Sequence, residues 1–372
     1  MKQNYFMLIL ARIALLPALI VLALTLSVCP VSCRSMEEGL AFIEGDFSIP
    51  EITEFKVLSD RSAEISFSKE AHVSGAEIFS ADEGMLQGSA DISYPEEKKA
   101  LLSFPEATTT GAEYVIEGTV ADSTGNSLTF SIPFKGFNKN PARLIITEVR
   151  NAYGTKKINK QKVHRSEFVE LYVLRSGNLS GIEVFSASDG EKKKYSLPAI
   201  EVKKGGCITV HMRTVQAEGI DGEGMISETG DNIALSTHED SCDTARDLWS
   251  ENTSAVFADS DIIFLKNSAD NTIMDAVLFA KSDCAEWKSS SKTIAGQISQ
   301  SGIWQNGTEP QDAVCSDSIT SSAATRSISR TNVQEAINAY EKNETVPNSK
   351  EKWIIAKAAT PGYKNSSTAY KK

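Results

Sequence analysis

Between residues 49 and 137 apolar side chains fall at every second position in a series of short runs separated by turns. ITEFKVLS, SAEISFSKE, GAEIFSA, KALLSFPE, EYVIEGTVA and SLTFSIPF all follow this rule. Successive side chains on a strand point to opposite faces, so each run predicts a strand with one buried face. Several such strands in close succession predict a β-sandwich. The turn VADSTGNSL at 120–128 suits a hairpin, because Asp122 can accept from backbone N–H groups ahead of it and Gly125 and Asn126 tolerate positive φ. The polar stretch FNKNPAR at 137–143 then marks a boundary. LIITEV at 144–149 and SEFVELYVL at 166–174 open a second set of strands, and these carry Glu148, Glu167 and Glu170. On strict alternation Glu148 shares a face with Leu144 and Ile146, Glu170 with Phe168 and Tyr172, and Glu167 with Val169 and Leu171, so the three carboxylates are not expected to converge.

The first set of strands resembles the bacterial Ig-like domains of surface proteins, whose last hairpin often carries a comparable D-x-x-G-N turn. The second region carries, in order, LIITEV, EFVELYV, LSGIEVFSASDG, YSLP, GGCITVHM, DIIFLKNSADNTIMDAVLFA, TRSISR, a Trp and TPGYKN. This succession resembles the lamin tail domain, an Ig-like sandwich of nuclear lamins and of many exported bacterial proteins. Thr147 stands where that pattern commonly has Asn, and Ile182 where it commonly has Trp. The resemblance implies that Glu148, Glu167 and Glu170 are framework residues and not a catalytic centre. The expected fold is therefore all-β: two β-sandwich (Ig-like) domains in series, at 49–140 and 141–365, the second lamin-tail-like with long loop insertions, then a tail at 366–372. The insertions are YGTKKINKQKVHRS, 213–260 and 281–324, which are expected to form loops.

The first 33 residues have a different character. The run IALLPALIVLALTLSV at 13–28 has no charge, follows Lys2 and Arg12, and as a helix is shorter than a bilayer core of roughly 30 Å, which predicts a signal peptide. It ends in LSVCPVSC, which resembles the lipobox of bacterial lipoproteins. Ser32 is small and Val28 bulky, so Cys33 is preferred over Cys29 as the acylated residue. Residues 34–48 would be a tether. The expected location is the bacterial cell envelope, periplasmic or surface-facing, with the membrane as a partner through the lipid anchor.

Composition narrows the function further. Asp and Glu number 49 against 38 Lys and Arg, for a net charge of −11, which argues against nucleic acid as the main partner. The four histidines make no HExxH, and neither G-x-S-x-G nor a phosphate-binding G-x-x-x-x-G-K-S/T loop is present. No metal, no cofactor and no enzymatic activity are expected. The acidic, glycine-rich stretch at 218–232 fails the calcium-loop spacing at Ile226. His211 reads as a strand residue.

Five basic residues, Lys156, Lys157, Lys160, Lys162 and Arg165, share one insertion without an acid. They read as a solvated hairpin extension, with docking of an anionic surface as the sharper alternative. Cys207, Cys242, Cys284 and Cys315 are compatible with two disulfides in an exported chain, Cys207–Cys242 and Cys284–Cys315 being the pairing expected. The function these features support is an envelope lipoprotein acting as a non-catalytic binding or structural module, with an unknown protein or polysaccharide as ligand. The alternatives are an accessory, substrate-binding part of an envelope hydrolase system, and a hydrolase that uses a carboxylate pair.

Overall fold

A computed structural model of the chain describes residues 46–371 apart from 159–160, 190–192 and 215–223. The signal peptide, Cys29, Cys33 and most of the tether lie outside the described residues.

Eight strands build the first sandwich: β1 (Ile52–Ser59), β2 (Ser62–Phe67), β3 (His72–Ser80), β4 (Leu86–Ser89), β5 (Asp91–Glu96), β6 (Lys99–Ser103), β7 (Glu113–Ala121) and β8 (Ser127–Lys135). One sheet has the order β1-β2-β6-β5 and the other β4-β3-β7-β8. The alternation seen in the sequence is what buries Ala63, Ile65 and Phe67 from β2, Ala100 and Leu102 from β6, and Tyr114, Ile116 and Val120 from β7 in a shared core. β4 and β5 are additional to the alternating runs, and their side chains are largely exposed. In the β7–β8 hairpin Asp122 Oδ1 accepts from Thr124 N at 3.0 Å and Asn126 N at 2.9 Å while Gly125 takes φ 88°, as the turn residues predict.

The second sandwich starts with β9 (Arg143–Arg150), a hairpin of β10 (Gly154–Ile158) and β11 (Gln161–Arg165), and β12 (Phe168–Arg175). There follow β13 (Gly177–Asn178), β14 (Ile182–Ser186), β15 (Lys194–Ser196), β16 (Glu201–Val202), β17 (Cys207–His211), β18 (Arg246–Trp249), β19 (Asp261–Asn267) and β20 (Thr272–Ala280). Helix α1 (Ser289–Ser301), β21 (Val314–Cys315), β22 (Ser327–Arg330), helix α2 (Val333–Glu341) and β23 (Trp353–Ala356) complete it. A six-stranded sheet, β18-β17-β12-β9-β22-β23, faces a five-stranded one, β15-β14-β19-β20-β21. Their facing side chains form a core with no residue in common with the first.

The insertions are more ordered than expected. Residues 213–260 supply β18, which adds to the sheet edge parallel to β17. Residues 281–324 contain α1, which buries Ile294, Ala295 and Ile298 in the main core together with Trp287 and Trp304. This corrects the expectation of a loop there. The apolar positions Ile294, Ala295 and Ile298 follow helical spacing, but the surrounding serines dilute the signal. α2 covers Ile145 and Leu174 on the opposite face of the six-stranded sheet through Ala336.

Candidate functional site

β9 and β12 pair antiparallel with Ile146 opposite Leu171 and Glu148 opposite Glu170, which leaves Thr147 as an extra residue. A bulge of this kind shifts the alternation by one position. Leu144, Ile146 and Val149 therefore face the main core, while Glu148 turns to the opposite face of the sheet and meets Glu170. The expectation that the three carboxylates do not converge is thus corrected for Glu148 and Glu170, and the bulge is the reason, while Glu167 stays apart from them.

Both glutamates are buried and held by donors from the C-terminal part of the chain. Glu148 accepts from the Ser327 hydroxyl, from Thr360 N at 3.0 Å and from Thr360 Oγ1 at 3.2 Å. Glu170 accepts from Thr147 Oγ1 at 2.6 Å and from Gly362 N at 2.7 Å. Asn365 Nδ2 donates to the carbonyls of Thr147, at 2.7 Å, and of Arg330, at 3.1 Å. The terminal TPGYKN segment is therefore clasped onto the first two strands of the domain. Burial, and after it the charge of Glu148, pushes Glu170 up to about 8, and burial raises Glu148 as well.

Other acids are built in the same way. Glu167 accepts from Val256 N at 3.2 Å and Phe257 N at 3.3 Å, and its pKa is raised by burial. Asp275 accepts from Ile146 N at 2.7 Å, Arg330 Nη1 at 2.9 Å and Asn348 Nδ2 at 3.0 Å. Asn348 Oδ1 in turn accepts from Trp353 Nε1 at 2.8 Å. Glu228 accepts from the N–H groups of Leu235, Ser236 and Asp247, so this acid from the glycine-rich stretch shapes a loop. Among the described residues no cluster of His, Cys, Asp and Glu is arranged to hold a metal ion.

On the outer face of the six-stranded sheet, residues 224–250 cover a buried polar layer. His211, the last residue of β17, bonds Asp247 through Nε2 at 2.7 Å and stacks on Trp249 with centroids 3.6 Å apart. Arg150 and Arg165 both bond Asp240. Burial pushes Asp240 up, yet the two arginines outweigh it and hold it below the usual carboxylate range. Arg165 is therefore turned inward and is no part of a basic docking surface, because a buried carboxylate claims it. Lys160 and the side chains of Lys156, Lys157 and Lys162 lie outside the described residues.

The four cysteines are free thiols, which corrects the two expected disulfides. Cys242 is buried with its Sγ 3.1 Å from Thr244 Oγ1 and 3.4 Å from the Gly362 carbonyl, so its local partners are oxygen atoms. Cys284 Sγ lies 3.4 Å from the Glu286 carbonyl, within its own turn. The ends of the 281–316 segment do lie side by side, with Ala280 opposite Cys315 and Ser282 N bonded to Asp317 Oδ1 at 2.8 Å. Hydrogen bonds close that loop without a covalent link.

A cleft of about 410 Å³ opens where β9, β17 and β20 end and β12 and β19 begin. The Arg213 guanidinium lies 3.9 Å above the Tyr153 ring and donates through Nε to the Thr253 carbonyl at 2.9 Å. Tyr153 is itself fixed by a 3.2 Å contact between its hydroxyl and His164 Nδ1. Lys281 Nζ donates to the carbonyls of Ser316, at 3.1 Å, and Ile319, at 3.0 Å. Asn151 is 7% exposed, and its Oδ1 is buried without a partner. Neither Asn151 nor Arg213 stands out in the sequence, since each follows a strand at a position without a motif.

The family model TP_1001_2nd, described as "protein second domain", matches residues 142–355, which is the second sandwich up to β23. The chain belongs to this family. A Treponema pallidum (strain Nichols) protein described as "Uncharacterized protein" is 36% identical over 170 residues. The alignment takes in 45% of this chain and 39% of that protein. Among solved structures, a DUF4876 family protein from Bacteroides thetaiotaomicron has a TM-score of 0.31 at 11% identity, over 70% of this chain and 83% of that one. The N-terminal part of the bacterial S-layer protein SbsC has a TM-score of 0.23 at 12% identity, over 63% of this chain and 45% of that one.

Proposed function

We propose that the chain is an exported, lipid-anchored protein of the bacterial cell envelope whose two sandwiches act as a non-catalytic binding or structural module. The observation that carries the non-catalytic reading is the use made of Glu148, Glu167 and Glu170. All three are at most 2% exposed, and all accept hydrogen bonds from backbone N–H groups far along the chain. A carboxylate pair working on a substrate needs a path to it, and Glu148 and Glu170 are covered by the TPGYKN segment. The clasp between the E-containing strands and the PG-x-x-N segment also supports the lamin-tail-like reading of the second sandwich, because the motifs that carry the resemblance are the ones in contact.

The anchor reading rests on the charge-free run that ends behind Ser32 at Cys33. A single acyl chain binds a membrane only marginally, whereas a multiply acylated N-terminus holds stably. The mature protein is expected to enter the detergent phase on phase separation and to carry labelled palmitate. Cys33→Ala should abolish both. Retention of label in that variant, together with its loss in Cys29→Ala, would move the anchor to Cys29. Absence of label in the wild-type chain would overturn the anchor.

A further inference from the structure

We infer that the cleft between Asn151, Arg213 and Lys281 is a binding site for a carboxylated sugar of an acidic polysaccharide. This deepens the binding-module reading and rests on it.

The donor side of the cleft is fixed in advance. Arg213 is held flat by the Tyr153 ring and by its Nε bond to the Thr253 carbonyl. Its two terminal nitrogens form no hydrogen bond among the described residues, although its charge is felt by the Glu167 carboxyl on the cleft wall. They present the planar edge that matches a carboxylate in two parallel hydrogen bonds. Lys281 gives two of its three hydrogens to the carbonyls of Ser316 and Ile319. The third remains for a ligand, and the ammonium charge adds to that of Arg213.

The acceptor side calls for a hydroxyl. Asn151 Nδ2 is directed at the Ala258 carbonyl, 3.5 Å away, and Oδ1 is the buried atom without a partner. An orphaned buried acceptor is uncommon in folded proteins, and a ligand O–H would satisfy it. Thr320 adds an exposed hydroxyl on the rim.

Two acids also border the cleft, Glu167 on its wall and Asp259 at its mouth. Glu167 already accepts from two backbone N–H groups, and burial raises its pKa, which lessens its opposition to an anion. The volume lies at the small end of the range of about 300–1,000 Å³ typical of small-ligand sites, enough for one or two sugar rings and too little for a folded partner. A carboxylate for Arg213 and Lys281 with a hydroxyl for Asn151 is the chemistry of a uronate.

The test is calorimetric titration of the full chain in detergent micelles with oligogalacturonates of two to four residues. Neutral galacto-oligosaccharides and inorganic phosphate serve as comparisons. Saturable binding of the uronates is expected, at least ten-fold tighter than that of the neutral sugars or of phosphate. Arg213→Gln and Lys281→Gln should each weaken it ten-fold or more. Asn151→Ala should weaken the uronates and leave the residual binding of phosphate unchanged. Each variant is checked by its thermal melt. Should Arg213→Gln fail to fold, Lys281→Gln and the wild-type melting shift on adding oligogalacturonate carry the same question. Absence of uronate binding, or binding that Arg213→Gln and Lys281→Gln leave intact, would overturn the assignment. Equal affinity for phosphate would overturn the sugar specificity. These outcomes are read separately from detergent partitioning, so the cleft can fail while the anchored module stands.

Discussion

Glu148 and Glu170 sit opposite one another across the β9–β12 pair, brought to one face by the bulge at Thr147. Two carboxylates so placed in a buried site disfavour each other's ionisation, and burial disfavours it further. The arrangement is nevertheless useful as a fastener. Each carboxylate accepts from a donor about 200 residues later in the chain, Thr360 for Glu148 and Gly362 for Glu170.

The first prediction is a pH dependence of stability in the second sandwich. Glu170 has its folded pKa at about 8 against an ordinary 4.5, so the folded state keeps the proton that the unfolded state has lost. The stabilisation is complete below about 4.5 and is lost as pH rises through about 8, with a slope of at most ~1.4 kcal/mol per pH unit for one proton. His238 acts oppositely, since burial depresses it to about 4, and its contribution is lost as pH falls from the ordinary 6.5. Urea unfolding at intervals from pH 4 to 8.5 should show a maximum. In Glu170→Gln the decline on the alkaline side should flatten, and an unchanged slope would sink this account.

A second prediction concerns Gly362, which takes φ 76° while its N–H meets Glu170. A Cβ there would fall 2.8 Å from the Ala245 Cβ and closer still to that of Cys242. Gly362→Ala should destabilise the domain by about 1–2 kcal/mol from the left-handed backbone alone, with the clash adding to it. Tryptophan emission is a suitable readout, because Trp249, Trp287, Trp304 and Trp353 all lie in the second sandwich.

Asp275 supports a third. It compensates the charge of Arg330, which is 1% exposed and also reaches the carbonyls of Ile146 and Pro347. Asp275→Ala leaves that guanidinium buried and unpaired, a loss of roughly 3–5 kcal/mol. Asp275→Asn should cost less, since it keeps an acceptor for the Ile146 N–H. Tryptophan-detected denaturation that finds the two variants equal would show that the lost charge, common to both, decides the effect and that the acceptor for the Ile146 N–H does not.

How much of this was legible in the sequence depends on the range over which each feature is encoded. Six of the eight strands of the first sandwich follow from alternation, because burial at Ile65, Leu102 and Ile116 is written locally at every second residue, whereas the exposed β4 and β5 carry no such pattern. The motif order led to the expectation of a framework role for the three glutamates. It did not reveal that Glu148 and Glu170 meet, since a one-residue bulge at Thr147 leaves no mark in a pattern of apolar residues. β18 was also hidden. It is a four-residue strand inside an insertion, and its identity rests on parallel pairing with β17 and on the His211–Trp249 stack. The cleft was equally silent, because it is assembled from strand ends distant in sequence.

The last prediction separates the thiols by their surroundings. Cys315 is exposed and Cys284 half-buried, toward the two ends of a closed loop. Cys242 is buried beneath the TPGYKN segment, where its Sγ faces the Gly362 carbonyl. Cys207 lies on β17, and burial, followed by the charge of Glu170 and the nearby Cys242, pushes its thiol up to about 12. The thiolate is the reactive form, so a raised pKa slows alkylation and disulfide exchange alike. Brief iodoacetamide labelling of the native full chain at pH 8, followed by peptide mapping, should modify Cys315 first and Cys284 more slowly. Cys207 and Cys242 should react only after urea. Gly362→Ala, by loosening the segment above Cys242, should speed labelling at that residue several-fold and leave Cys315 unchanged. Rapid native labelling of Cys207, or a Cys207–Cys242 disulfide in the non-reduced map, would show that the buried polar face of the sheet is held together differently from the clasp described for Glu148 and Glu170.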